Sequence, residues 1–242
     1  MTAFELAVQD AAGIRVAADL GVDRIELCSA LSLGGLTPSA GLIAAASASG
    51  IPVHVLIRPR SGDFEYDDAE RRLIVEDVLW ARAHGATGVV GGGLRDGRLD
   101  EDLVARIVVA ADGMPVTFHR AFDNLSDLDA GLDRLVDLGV TRVLTSGGAA
   151  RADEALPVLE RLVARADRAI QIMAGSGVRA DNVARIAATG VDAVHASVKR
   201  AVAGRRGVRL GSAAPDGGGH ETADADEARR LIGILRSTEE AR

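Results

Sequence analysis

The run Pro115-Val116-Thr117-Phe118-His119-Arg120-Ala121-Phe122-Asp123 places an imidazole, a guanidinium and a carboxylate within five residues of one another. His119 can exchange a proton near neutral pH, Arg120 can hold a planar oxyanion, and Asp123 can orient either neighbour. Val116, Thr117 and Phe118 favour a strand, with Pro115 at its start. A period of two sends Thr117 and His119 to one face and Val116 and Phe118 to the other. The three chemical groups therefore sit where a strand gives way to a loop, and general acid–base work beside a held anion is the chemistry they suit.

Comparable groups recur at the ends of other β-rich runs. Glu26 and Cys28 close Arg24-Ile25-Glu26-Leu27-Cys28, His54 lies in Ile51-Pro52-Val53-His54-Val55-Leu56-Ile57, and His195 and Ser197 close Val194-His195-Ala196-Ser197. Glu26 is a second acid–base candidate with His119 and Asp123. Arg58 and Arg60, in Arg58-Pro59-Arg60-Ser61-Gly62-Asp63-Phe64, join Arg120 as candidate anion holders. The turns Thr145-Ser146-Gly147-Gly148 and Ala174-Gly175-Ser176-Gly177 lead into helices. Backbone N–H groups there can cradle a phosphate or carboxylate, so Thr145, Ser146, Gly147, Gly175, Gly177, His195 and Ser197 complete the ligand-binding set. Cys28, His54 and Met173 offer thiolate, imidazole and thioether, a donor set that suits a soft ion such as Cu(I).

The elements that position these groups repeat. A glycine ends a helical pattern and a β-rich run follows at Gly21, Gly85, Gly139 and Gly190, and a second series of runs falls between them. The two series interleave into eight expected strands, at roughly 4–8, 24–28, 53–58, 88–92, 115–120, 142–147, 169–174 and 193–197. Helical patterns fill the gaps, as in Leu125, Leu128, Leu132, Leu135 and Leu138. Strands alternating with helices through short crossovers predict an α/β chain, a single (β/α)8 TIM-like barrel over residues 1–242. The Gly-, Ala- and Pro-rich stretch 204–219 reads as a flexible loop before a last helix docked by Leu231, Ile232 and Leu235. Strand parity then turns Glu5, Glu26, Cys28, His54, Arg58, Thr117, His119, Gln171, Met173, His195 and Ser197 toward the barrel axis. Barrel interiors are normally apolar, so so many polar groups there imply a ligand site at the C-terminal mouth.

Composition narrows the setting. With 48% hydrophobic and 2% aromatic residues, Val, Ile, Leu and Ala must fill the core. A net charge of −7 argues against nucleic-acid and anionic-membrane partners. One cysteine allows no intrachain disulfide. No apolar run reaches the length of a membrane span and no signal-peptide pattern follows Met1, so a cytoplasmic protein is expected.

The motifs quoted above, with Gly34-Gly35-Leu36-Thr37-Pro38-Ser39 and Ile172-Met173-Ala174-Gly175-Ser176-Gly177-Val178, resemble the CutC family over roughly residues 4–200. The resemblance implies a TIM-like barrel, a cytoplasmic and homo-oligomeric protein, and a role in copper homeostasis with copper binding, Cys28 falling on the family's strand-2 cysteine. Two readings stand side by side. One is copper binding through Cys28, His54 and Met173. The other is an enzyme acting on a small anionic molecule, phosphorylated sugars being among the candidates.

Overall fold

In the computed structural model, residues 2–204 and 219–240 are described. Eight strands form the barrel: β1 (Ala3–Val8), β2 (Arg24–Leu27), β3 (Val53–Leu56), β4 (Gly88–Gly91), β5 (Val116–Phe118), β6 (Arg142–Thr145), β7 (Gln171–Ala174) and β8 (Ala193–Ala196). Each pairs in parallel with the next, and β8 closes the ring on β1 through Glu5 opposite His195. The crossover helices are α1 (Ala11–Leu20), α2 (Ala40–Ser47), α3 (Asp68–Ala83), α4 (Glu101–Ala111), α5 (Leu128–Asp137), α6 (Leu156–Ala166), α7 (Val183–Ala188) and α8 (Ala225–Glu240). The fold is the expected TIM-like barrel.

Local chemistry sets the helix starts. Asp10, Ser39, Asp67, Asp100 and Asp127 each accept a hydrogen bond from a backbone N–H of the first turn that follows. At α3 the cap is reciprocal, with Glu70 reaching back to Asp67 N at 3.0 Å. Gly21 ends α1 in the left-handed region at φ 59°, a conformation a Cβ would strain.

Parity in the strands sorts side chains as the sequence suggests. Phe4, Leu6, Val8, Ile25, Leu27, Val53, Val55 and their counterparts pack under the helices in one continuous core. The alternate residues fill the barrel. Cys28, Leu56 and Val90 make one small interior cluster, and Leu144, Met173 and Ala193 another. Gln171, expected inside, is exposed.

Two antiparallel ribbons decorate the barrel, Leu94–Arg95 with Arg98–Leu99 and Lys199–Val202 with His220–Ala223. The second flanks the stretch expected as a loop, whose residues 205–218 lie outside those described. Leu231, Ile232 and Leu235 are buried where α8 docks. Among the described residues no helix is long and apolar enough to cross a membrane.

Candidate functional site

Three neighbouring strands build the floor of the site. In the parallel register Glu5 lies beside Arg24 of β2 on one side and His195 of β8 on the other. Arg24 pairs with Glu5 through Nε and Oε2, and its Nη2 donates to Met173 Sδ at 3.5 Å. His195 Nδ1 lies 2.8 Å from Glu5 Oε1 and 3.9 Å from Glu26 Oε2. Burial works against the charge on Glu5, but the hydrogen bond from His195 and the charge of Arg24 outweigh it and hold the carboxyl well below its usual range. At the neighbouring Glu26, burial, reinforced by the charge of Glu5, outweighs the charges of His195 and Arg24 and pushes the carboxyl up to about 7. Burial likewise opposes an imidazolium at His195, yet the charge of Glu26 and the hydrogen bond to Glu5 raise it.

Above this floor opens a cavity of about 730 Å³ at the C-terminal mouth of the barrel. Glu26, Arg58, Phe64, His119 and His195 line its inner part. Arg120, Arg151, Arg179, Lys199 and Arg230 supply cations around it, and Asp224, just before α8, and Glu227 in its first turn bring acidic groups. Ser176, Gly177 and Ser197 add the turns after β7 and β8. Among the described residues, Glu26 Oε2, His119 Nε2 and Arg58 Nε are buried side-chain atoms without a hydrogen-bond partner. A buried polar atom left unpaired costs about 1–3 kcal/mol, so these three mark unspent hydrogen-bonding capacity in the cavity wall.

His119 leaves β5 at the start of a single 3-10 turn, Arg120–Asn124. Its Nδ1 accepts from Ala121 N at 3.4 Å, and its ring packs 4.7 Å from that of Phe64. Burial, with the nearby Arg58 charge, pushes it down to about 4, so it is neutral at pH 7. Arg58 sits over the Phe64 ring at 5.1 Å and donates to the carbonyls of Leu33, Gly35 and Gly62. It borders the cavity and ties together the loops after β2 and β3.

The remaining sequence candidates divide. Arg60 is outside the cavity lining, held by Glu70, Asp63 and the Glu65 carbonyl. Asp123 is also outside it, and its carboxylate accepts from Thr145 Oγ1, Ser146 N and Gly148 N and pairs with Arg120 Nε at 2.8 Å. The turn after β6, read from the sequence as a cradle for an anion, thus spends its N–H groups on an anion of the chain itself. Gly147 N donates to Thr145 Oγ1 at 2.9 Å, and Gly175 N to the Thr145 carbonyl at 2.9 Å. Gly177 and Ser197 reach the cavity.

The three soft metal candidates do not converge. Cys28 packs with Leu56 and Val90, its Sγ 3.6 Å from the Val8 carbonyl, and burial pushes its thiol up, out of reach of a thiolate at neutral pH. Met173 belongs to the other interior cluster, with Leu144 and Ala193. His54 is buried in β3, where burial pushes it down to about 3. Among the described residues, the group whose donor atoms do come together, within 4.8 Å of one another, is Glu5, Glu26 and His195, two carboxylates and an imidazole suited to a harder cation. Glu5 was legible as an inward residue by parity, and Arg24 shares the parity of Glu26. Arg151, Arg179, Lys199 and Arg230 carry no such signal, because loops, the second ribbon and a distant helix deliver them.

Comparison with known proteins places this geometry in a family. The CutC family matches residues 2–200. The CutC family protein of Sinorhizobium medicae is 49% identical over 162 residues, 66% of each chain. The human copper homeostasis protein cutC homolog is 48% identical over 145 residues, 59% of this chain and 53% of the human one. The matched stretches therefore span about two thirds or less of these relatives. A crystal structure of a copper homeostasis protein CutC from Streptococcus agalactiae superposes with a TM-score of 0.77 at 36% identity, covering 81% of this chain and 98% of that one. With the barrel, its inward polar floor and the matched motifs in one frame, the chain belongs to the CutC family.

Proposed function

We propose that the mouth of the barrel is the active site of an enzyme acting on a small, negatively charged organic molecule, and that this is the chain's part in the copper homeostasis for which its human relative is named. The observation that carries the reading is that Glu26, Arg58 and His119, which line one cavity beneath a cationic rim, each carry a buried polar atom without a hydrogen-bond partner among the described residues. Arg120, Arg151 and Arg179 hold the anionic end. Gly177 and Ser197 lie where the turns after β7 and β8 approach it, and in barrels of this kind a phosphate is commonly held at such turns. Glu26, His119 and His195 face the reacting centre. Asp123 and Arg58 act as positioning residues, and Arg60 lies apart. The net charge and single cysteine support a cytoplasmic setting.

A second reading is direct metal binding, favoured by the approach of Glu5, Glu26 and His195. Copper fits these donors better as Cu(II) than as Cu(I), because Cys28 is a buried thiol and Met173 lies in another cluster. A thermal-shift panel on metal-stripped protein separates the readings. It would hold Cu(I) under reducing conditions, Cu(II), Zn(II), inorganic phosphate and a set of sugar phosphates. Binding at 100 times Kd adds about 2.7 kcal/mol, a rise of a few degrees. Shifts confined to phosphorylated ligands and lost in Arg120→Ala support the enzyme. Shifts confined to metals and lost in Glu26→Gln replace it with a metal site.

A further inference from the structure

We infer that the mouth pocket interconverts small anionic α-hydroxy aldehydes and ketones, with His195 moving the carbon-bound proton and His119 donating a hydrogen bond to the carbonyl oxygen. The inference rests on the reading of the mouth as an enzyme site and assigns it a reaction class and a substrate class. Two histidines face one cavity, and their surroundings give them opposite tasks.

His119 has its Nδ1 engaged as an acceptor by Ala121 N. The neutral ring must then carry its proton on Nε2, the buried atom with no partner among the described residues. Its one free position is a donor, so it cannot take a proton from substrate. A fixed N–H on a buried ring at the cavity wall is suited to an oxygen that gains negative charge. Burial and the charge of Arg58 keep the ring neutral, which preserves that role.

His195 is wired the other way. Arg24 pairs with Glu5, and Glu5 accepts from His195 Nδ1. A proton fixed on Nδ1 leaves the Nε2 lone pair of the cavity-lining ring as a base. Glu5 is here a positioning residue. Glu26, whose Oε2 is unpartnered and lies 3.9 Å from His195 Nδ1, is a carboxyl placed to relay a proton between neighbouring oxygens. Lys199 is the chain's single lysine, and its Nζ is paired with Glu221 at 2.8 Å on the ribbon at the rim. The floor therefore holds no amine to condense with a carbonyl, and polarisation of the carbonyl falls to the His119 N–H.

The step balances without a co-reactant. His195 Nε2 takes the proton from the carbon bearing the hydroxyl, the C–H pair becomes the C=C bond, and the carbonyl pair moves onto oxygen. That oxygen accepts from His119 Nε2–H. Glu26 carries the hydroxyl proton from one oxygen to the other, the carbonyl re-forms one carbon along, and His195 returns its proton to the former carbonyl carbon. No electrons leave or enter the substrate.

The test has two parts, both on the full chain. Two-bond ¹H–¹⁵N correlation spectra at pH 7 should show His119 neutral with its proton on Nε2. A protonated ring, or a proton on Nδ1, overturns the assignment without any variant. Glyceraldehyde 3-phosphate, dihydroxyacetone phosphate, erythrose 4-phosphate and ribose 5-phosphate are then incubated with the protein in D₂O, and loss of the C–H signal beside the carbonyl is followed by NMR. At least one should exchange. Its rate should fall by about 100-fold or more in His195→Gln and His119→Phe, with partial recovery in His119→Gln, which keeps an N–H donor. Binding of these sugar phosphates in the thermal-shift panel without exchange sinks the isomerase and leaves the anion pocket standing. Absence of both binding and exchange removes the two together.

Discussion

The imidazole of His54 fills the space that a side chain at Gly88 would need: a Cβ there would fall 2.4 Å from His54 Nε2. The two residues face each other across β3 and β4, so the buried histidine depends on a neighbour with no side chain. Gly88→Ala should destabilise the protein by about 1–3 kcal/mol, the usual cost of overpacking. His54→Ala in the same chain should recover part of that loss, because the clash goes with the ring. Guanidinium unfolding midpoints of the two single variants and the double variant measure the coupling, and strictly additive losses would show that the ring moves aside freely.

Asp123 acts as an internal anion for the turn after β6. Replacing it by alanine frees the N–H groups of Ser146 and Gly148 and removes the partner of Arg120 Nε. A loss of about 2–4 kcal/mol is expected, in the range for breaking a buried charge-assisted network. Inorganic phosphate or sulfate should then raise the melting temperature of Asp123→Ala more than that of the unaltered protein. Equal shifts in both would mean that the emptied turn does not hold an anion.

Acid should destabilise the fold through its buried histidines. Held down to about 3 and about 4, His54 and His119 bind fewer protons folded than unfolded. Their contribution is present above pH 6.5 and is lost as pH falls toward those values, on the order of 5 kcal/mol for His54 and 3 kcal/mol for His119. Glu26, pushed up to about 7, works in the opposite sense, its contribution lost as pH rises from 4.5 through 7. The net expectation is a melting temperature that drops between pH 6.5 and 4. Glu26→Gln should steepen that drop, and a flat profile in either protein would contradict the assigned burial of charge.

Cys28 should behave as a small hydrophobe. Its thiol, pushed up by burial and by the charge of Glu26, should resist alkylating reagents at pH 8 in the folded protein and react once guanidinium unfolds it. Cys28→Ala should cost about 1–2 kcal/mol and leave Cu(I) affinity within threefold of its starting value. A collapse of Cu(I) affinity in that variant would restore the thiolate reading.

Much of this arrangement was readable in the chain. Alternation along Phe4-Glu5-Leu6-Ala7-Val8 and Arg24-Ile25-Glu26-Leu27 separates helix-facing from axis-facing residues, because a strand allows only two directions. Strand ends such as His119 and His195 could then be assigned to the mouth. The sequence did not disclose partnership. Nothing in the spacing of Asp123 says that it would satisfy the turn after β6, or that Arg60 would turn to Glu70 instead of the cavity. Cys28, His54 and Met173 share an interior yet point into different layers of it, a distinction set by strand stagger that local pattern does not carry. The cations of the outer rim were hidden for the same reason, arriving from loops, from the second ribbon and from α8, far along the chain.

That last helix has a further bearing. The stretch that matches the family ends at residue 200, while Asp224, Glu227 and Arg230 border the cavity from beyond it. The wall of the cavity is thus written in two separate passages of the chain, so that substitutions at Asp224, Glu227 and Arg230 would reshape its rim while leaving Glu26, His119 and His195 in place.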